Sequence, residues 1–183
     1  GNRQMKRYIV LLRGINISGK NRITMSDLKA GFIELGYTAV STYLNSGNVI
    51  FDSGIDNKEE LSNAIRFMIN KQFELKIPVF VILQEELEEI LKNAPEWWGD
   101  SSKEIYDNLI FMFPTISYDR FYNEVGNPKE AYEKIYHYKN VIFWSFSRKD
   151  YQKTNWWSKT ANSKVSNEIT IRTANTVRKI VNI

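Results

Sequence analysis

Nine residues near the N-terminus, RGINISGKN at positions 13–21, have the residue types of a phosphate-binding loop. Their glycines and lysine match the GxxxxGK[ST] spacing, in which backbone N–H groups wrap phosphates and the lysine adds charge. Asn21 replaces the hydroxyl residue that would bind magnesium, and the helix signal begins only at Thr24. These differences argue against a nucleoside-triphosphatase site. Two interpretations remain: an anion-binding turn that uses Arg13, Lys20 and exposed amides, or a turn that only connects a strand to a helix.

A second polar segment, YLNSGN at positions 43–48, lies between two predicted strands. Asparagine, serine and glycine favour tight turns, so a hairpin turn is the stronger interpretation. The alternative is that the amides of Asn45 and Asn48, with Ser46 and Gly47 between them, hold a ligand through hydrogen bonds.

A third segment, residues 144–164, alternates aromatic and cationic side chains. In proteins that bind single-stranded nucleic acid, aromatic side chains stack on bases and cationic side chains neutralise phosphates. The alternative is that these aromatic residues belong to the core, as aromatic residues on a strand more often do. Trp156 and Trp157 are adjacent and cannot both face one core in regular structure. We therefore predict that one of them is exposed or at an interface.

Residue types exclude several kinds of chemistry. The chain has no cysteine and one histidine, which excludes disulfide scaffolds, iron–sulfur clusters, thiolate zinc sites and cysteine nucleophiles. The sequence identifies no metal site and no catalytic residue, and it leaves the cofactor unknown.

Charge is distributed unevenly along the chain. The total is +4, but residues 1–23 carry +6, residues 24–138 carry −9 and residues 139–183 carry +7. If the fold brings the basic ends together, they form a face suited to phosphate, nucleic acid or another anion. If it does not, they are solvated surface.

The composition is that of a globular protein, with 183 residues of which 43% are hydrophobic. No apolar run approaches the roughly 20 residues that span a bilayer, and no signal peptide is evident. We therefore expect a cytoplasmic protein without a membrane partner. We interpret residues 1–4 as a cloning remnant before Met5.

Hydrophobic periodicity predicts the order strand, helix, strand, strand, helix, strand over residues 5–84. Thr24 and Asn57 mark helix starts, and Gly36 marks a helix end. Residues 85–183 repeat similar ingredients: an acidic helix, a strand, a helix at 118–125, a hairpin, a segment rich in Lys, Trp, Ser and Thr, a strand and a terminal helix. The sequence thus predicts an α+β fold of two ferredoxin-like (split βαβ) α/β sandwich units, 5–84 and 85–183, the second packed on the first. A structural duplication would explain this order.

Four motifs, LLRGINISGKN, TYLNSGNVIF, YQKT and TIRT, together resemble the bacterial family catalogued as domain of unknown function sixteen-ninety-seven. The resemblance implies an α+β fold of two ferredoxin-like units and no established activity. The family pattern has glycine where this chain has Ser18, so we expect a stiffer loop. The matching motif positions are Arg13, Gly14, Asn16, Gly19, Lys20, Asn21, Ser46, Gly47, Asn48, Lys153, Thr154 and Arg172.

Three functional hypotheses follow. The first is binding of a phosphate-bearing or other anionic ligand, a nucleotide or nucleic acid, by Arg13, Lys20, Lys153 and Arg172 converging on one face, with Asn16, Asn45 and Asn48 orienting the ligand. The second is a protein-interaction module anchored by an exposed tryptophan, Trp97 or Trp157. The third is a small-molecule enzyme in which Arg13 and Lys20 stabilise a developing anion.

Overall fold

The apolar run that starts at Tyr8 forms the central strand of an antiparallel sheet. In the computed structural model, which describes residues 4–100 and 102–183, strand β1 (Lys6–Leu12) lies between two other strands. Val10 pairs with Val49 on one side and with Val81 on the other. Residues 1–3 of the predicted cloning remnant lie outside the described residues.

The first unit has the order β1, α1, β2, β3, α2, β4. Its sheet has the strand order β2-β3-β1-β4, which is the ferredoxin-like arrangement predicted from the sequence. One face packs against the two helices through an aromatic group that includes Phe32, Tyr37 and Phe51. The elements after β1 are α1 (Met25–Glu34), β2 (Thr38–Tyr43), β3 (Asn48–Ser53), α2 (Lys58–Phe73) and β4 (Val79–Leu83).

Helix α3 (Gln84–Lys92) follows, and a second four-stranded sheet has the order β6-β7-β5-β8. Ile110 of the central strand pairs with Ile142 and Ile171, which repeats the arrangement of the first sheet. The elements are β5 (Ile105–Met112), α4 (Tyr118–Val125), β6 (Glu133–Tyr138), β7 (Val141–Ser147), α5 (Trp156–Asn162), β8 (Ile169–Thr173) and α6 (Ala174–Ile180). The α+β fold of two ferredoxin-like units is therefore confirmed.

Helix α5 is the element that sequence analysis missed, since the residues between the predicted hairpin and the last strand were interpreted only as a segment rich in Lys, Trp, Ser and Thr. The helix supplies the second crossover of the second unit, between β7 and β8. Its first residue, Trp156, is fully buried, whereas Trp157 is 40% exposed. The prediction that one of these two tryptophans is exposed or at an interface is confirmed.

The spatial contacts between residues divide the described chain into two compact units. The first unit comprises the described residues up to Glu88 together with Ile180–Ile183. The second unit is Glu89–Lys179. The C-terminal residues are bonded into the first unit: Gln84 Nε2 donates to the Val181 carbonyl at 2.8 Å, and Arg7 Nη2 donates to the Ile183 carbonyl at 3.1 Å. In the described part of the chain, none of the helices has the length and apolar character that a membrane crossing requires.

Candidate functional site

The glycine-rich segment after β1 folds into a small hairpin. The Lys20 N–H donates to the Ile17 carbonyl at 2.9 Å, which closes a four-residue turn. Its two central residues, Ser18 and Gly19, have φ of 51° and 75°, as a type I′ turn requires. Residues 21–24 therefore separate Lys20 from α1, which begins after its N-cap residue Thr24. A P-loop lysine, by contrast, lies at the start of its helix.

The Asn16 side chain fastens this loop to its surroundings. Its Nδ2 donates to the carbonyls of Ile23 at 2.9 Å and Asn45 at 2.7 Å, and its Oδ1 accepts the Ile23 N–H at 2.9 Å. Asn21 makes a similar bond, from Nδ2 to the Gly14 carbonyl at 2.8 Å. Both N–H donors of Asn16 are thus used within the protein, and a ligand could use only the second lone pair of Oδ1.

The turn between β2 and β3 is closed in the same manner. Asn48 is fully buried, and its Nδ2 donates to the Tyr43 carbonyl at 2.8 Å and to Ser46 Oγ at 3.2 Å. Gly47 has a φ of 95°, and its carbonyl accepts the Leu12 N–H at 2.9 Å. The Asn48 amide therefore stabilises the turn and has no exposed surface to offer a ligand.

An open pocket of about 450 Å³ lies where this loop meets the start of α1 and the end of α2. Two of its lining residues are charged, Arg22 and Asp27. The Arg22 guanidinium folds over the turn, since its Nη2 is 3.5 Å from the position that a Cβ on Gly19 would occupy. The lining residues are Asn16, Gly19, Arg22, Ile23, Thr24, Asp27, Asn45 and Phe73.

Several of these lining residues were not among the predicted site residues. Arg22, Thr24 and Asp27 directly follow the glycine-rich segment, so extending that segment by six residues would have found them. Phe73 ends α2 and reaches the pocket only through tertiary packing. No local pattern in the sequence indicates it.

Cations surround the loop in different environments. Lys20 and Arg22 are exposed, whereas Arg13 is half-buried. Burial lowers the pKa of the Arg13 guanidinium from its ordinary value, because desolvation disfavours the charged form. Arginine nevertheless remains protonated in proteins, so all three side chains contribute positive charge.

We expect Ser18→Gly to stabilise the first unit. A left-handed φ costs a residue with a Cβ about 1–2 kcal/mol, and glycine's greater chain entropy offsets part of the gain, so the net increase should be about 0.5–1 kcal/mol. Chemical denaturation followed by far-UV circular dichroism measures it. As a control, Ser26→Gly in helix α1 should have the opposite sign. A loss of stability in Ser18→Gly would contradict the strain argument.

The predicted residues of the second unit occupy three different settings. Thr154 is buried, and its Oγ1 donates to the Tyr151 carbonyl at 2.7 Å and accepts the Trp157 N–H at 3.2 Å, at the start of α5. Arg172 is buried on β8, where its Nη1 donates to Thr170 Oγ1 at 2.9 Å. Of the three, Lys153 alone presents its charge to solvent, with 61% of its side chain exposed.

Within the described residues, no group of three or more His, Asp or Glu side chains converges to hold a metal ion.

Comparison with known proteins places the chain in a family. A family model described as "Protein of unknown function (DUF1697)" matches residues 5–143. The solved structure of a conserved bacterial protein from Streptococcus pneumoniae is similar, with a TM-score of 0.85, 31% sequence identity and coverage of 98% of each chain. No curated protein matches. On these grounds the chain belongs to the DUF1697 family.

Proposed function

We propose that the protein binds a phosphate-bearing or other anionic ligand, such as a nucleotide, in the pocket beside the glycine-rich loop. The observation that carries the proposal is the Arg22 guanidinium, which is exposed at a pocket of about 450 Å³. Pockets for small ligands have volumes of about 300–1,000 Å³. Arginine offers a planar fork of donors that matches two phosphate oxygens at once.

The rest of the lining supports a ligand that has more than a phosphate. Thr24, Asn45 and Asp27, whose side chains have a hydroxyl, an amide and a carboxylate, also line the pocket. A carboxylate repels a bare anion and accepts hydrogen bonds from the hydroxyls of a sugar. Phe73 gives an apolar surface for a flat ring. This mixture favours a sugar phosphate or a nucleotide over inorganic phosphate.

We expect Arg22→Ala to weaken binding of the ligand by about 10-fold or more, since a charge-assisted hydrogen bond contributes about 1.5–3 kcal/mol. The measurement is a thermal-shift screen against inorganic phosphate, sugar phosphates and nucleotides, because any ligand of the native state raises its stability. Far-UV circular dichroism follows the unfolding.

Arg66→Ala is the matched control, since Arg66 is exposed on α2 and does not line the pocket. It should leave the thermal shift unchanged. A screen in which no anion stabilises the protein, or in which Arg22→Ala and Arg66→Ala behave alike, would remove the pocket as the binding site.

A further inference from the structure

Trp157 exposes much of a large aromatic ring on the surface of the second unit. It is 40% exposed, and Tyr151 beside it is 36% exposed. Exposed aromatic rings in a cluster mark interaction sites more often than isolated ones do.

Three other rings hold the Trp157 indole in place. Tyr106, Phe146 and Tyr151 meet it edge to face, with centroid distances of 6.3, 5.8 and 5.0 Å and interplanar angles of 72–75°. Edge-to-face pairs add stability beyond the area that they bury. The indole is therefore a fixed surface, so binding a flat partner costs little side-chain entropy.

Cationic residues are frequent in the segment that carries Tyr151 and Trp157. Residues 148–164 contain five lysines and arginines and one carboxylate, Asp150. The Arg148 guanidinium lies 4.4 Å from the centroid of the Tyr106 ring. Lys149 and Lys153 are exposed, and Lys153 Nζ lies 3.6 Å from Asp150 Oδ1, an ion pair that is open to solvent on the lysine side. Cations next to exposed rings suit a partner that has both flat groups and negative charge.

We propose that this surface, the Trp157 patch (Tyr106, Arg148, Tyr151, Lys153 and Trp157), binds single-stranded nucleic acid. Unpaired bases stack on aromatic side chains, while the backbone phosphates contact lysines and arginines. A duplex does not offer its base faces in this way. Protein interfaces, in contrast, are depleted of lysine, which favours the nucleic acid. The patch lies in the second unit and is independent of the pocket proposed above.

The direct test is fluorescence anisotropy with a labelled oligothymidine of about 12 nucleotides, within the range that stacking platforms bind. Trp157→Ala should weaken binding by about 5-fold or more, because stacking of one base on an aromatic ring contributes that much affinity. Trp157→Tyr should restore most of the affinity, since it keeps an aromatic face. Phe67→Ala, which removes a 70% exposed ring from α2, is the matched control and should change nothing.

A second variant tests the patch without removing a packed ring. Lys153→Glu reverses the charge of a patch side chain that is 61% exposed, and it should weaken binding most at low salt. It should also flatten the slope of log affinity against log salt, which is about 0.7 per phosphate contacted on a single strand. Lys71→Glu on α2 makes the same change in net charge away from the patch and should have a much smaller effect.

Three results would overturn the proposal. One is no binding of the oligothymidine at low salt. Another is equal binding of a duplex of the same length. The third is a mass that depends on protein concentration and falls in Trp157→Ala, without oligonucleotide binding, which would make the patch a protein interface. Arg22→Ala distinguishes the patch from the pocket beside the glycine-rich loop. It should leave oligothymidine binding unchanged even where it abolishes the thermal shift caused by a sugar phosphate or a nucleotide.

Discussion

Replacing Glu133 by alanine is expected to lower the stability of the second unit by about 3–5 kcal/mol. Glu133 is only 4% exposed, and its carboxylate accepts four hydrogen bonds. Oε1 accepts from Trp144 Nε1 at 3.0 Å and from the Trp156 N–H at 3.3 Å. Oε2 accepts from the N–H groups of Lys129 at 2.9 Å and Asn155 at 2.5 Å. Alanine would leave four donors without a partner, two of them at the start of α5.

Glu133→Gln separates the loss of charge from the loss of the side chain. Glutamine keeps the size and one acceptor oxygen, but its amide would point N–H groups at donors that need an acceptor. We therefore expect a smaller loss of about 1–3 kcal/mol. All five tryptophans lie between positions 97 and 157, so tryptophan fluorescence during denaturation reports on the second unit. Equal stability of Glu133→Ala and the parent protein would contradict the argument.

Gly47→Ala is expected to destabilise the first unit by about 2–5 kcal/mol, through backbone strain together with a steric clash. Gly47 has a φ of 95°, and an added Cβ would lie 2.7 Å from Leu12 Cβ and 3.0 Å from Ile15 Cδ1. Leu12 Cβ is attached directly to the backbone of β1, so it cannot move without shifting the strand. Amide hydrogen exchange of β1 and β3 measures the effect within the first unit.

Gly14→Ala is the matched control for Gly47→Ala. Gly14 also has a positive φ, 77°, but among the described residues no atom other than those of its two chain neighbours lies within 4 Å of the position of an added Cβ. Only the strain should remain, which is about 1–2 kcal/mol. If the two variants lose the same stability, the clash with Leu12 contributes nothing.

The elements that sequence analysis located are those whose ends are set by neighbouring residues. The Asp27 N–H donates to Thr24 Oγ1 at 3.2 Å, and the Glu60 N–H donates to Asn57 Oδ1 at 3.0 Å, as predicted for the two helix starts. Gly36 ends α1 with a φ of 94°. Helix α5 also has a local cap, since the Trp157 N–H donates to Thr154 Oγ1 at 3.2 Å. Sequence analysis interpreted Thr154 as a candidate ligand residue and so missed this helix start. The carboxylate at its start comes from Glu133, 22 residues earlier than Asn155.

The candidate site, too, could be predicted from the sequence only in part. The loop and the hairpin turn were visible as clusters of glycine, asparagine and serine, since those residue types set the backbone conformation. Their amides, however, are largely used within the protein, as Asn16 and Asn48 show. The pocket was not visible, because it depends on the distance between the loop and Phe73 at the end of α2.

Because Ile180–Ile183 belong to the first unit, they affect the order in which the units fold during translation. A nascent chain usually folds its N-terminal domain as a unit while later residues are still being added. Here the hydrogen bonds from Gln84 to Val181 and from Arg7 to Ile183 can form only after the whole second unit has been synthesised. The first unit therefore leaves the ribosome before the second, yet it completes its contacts only after the second unit has been synthesised.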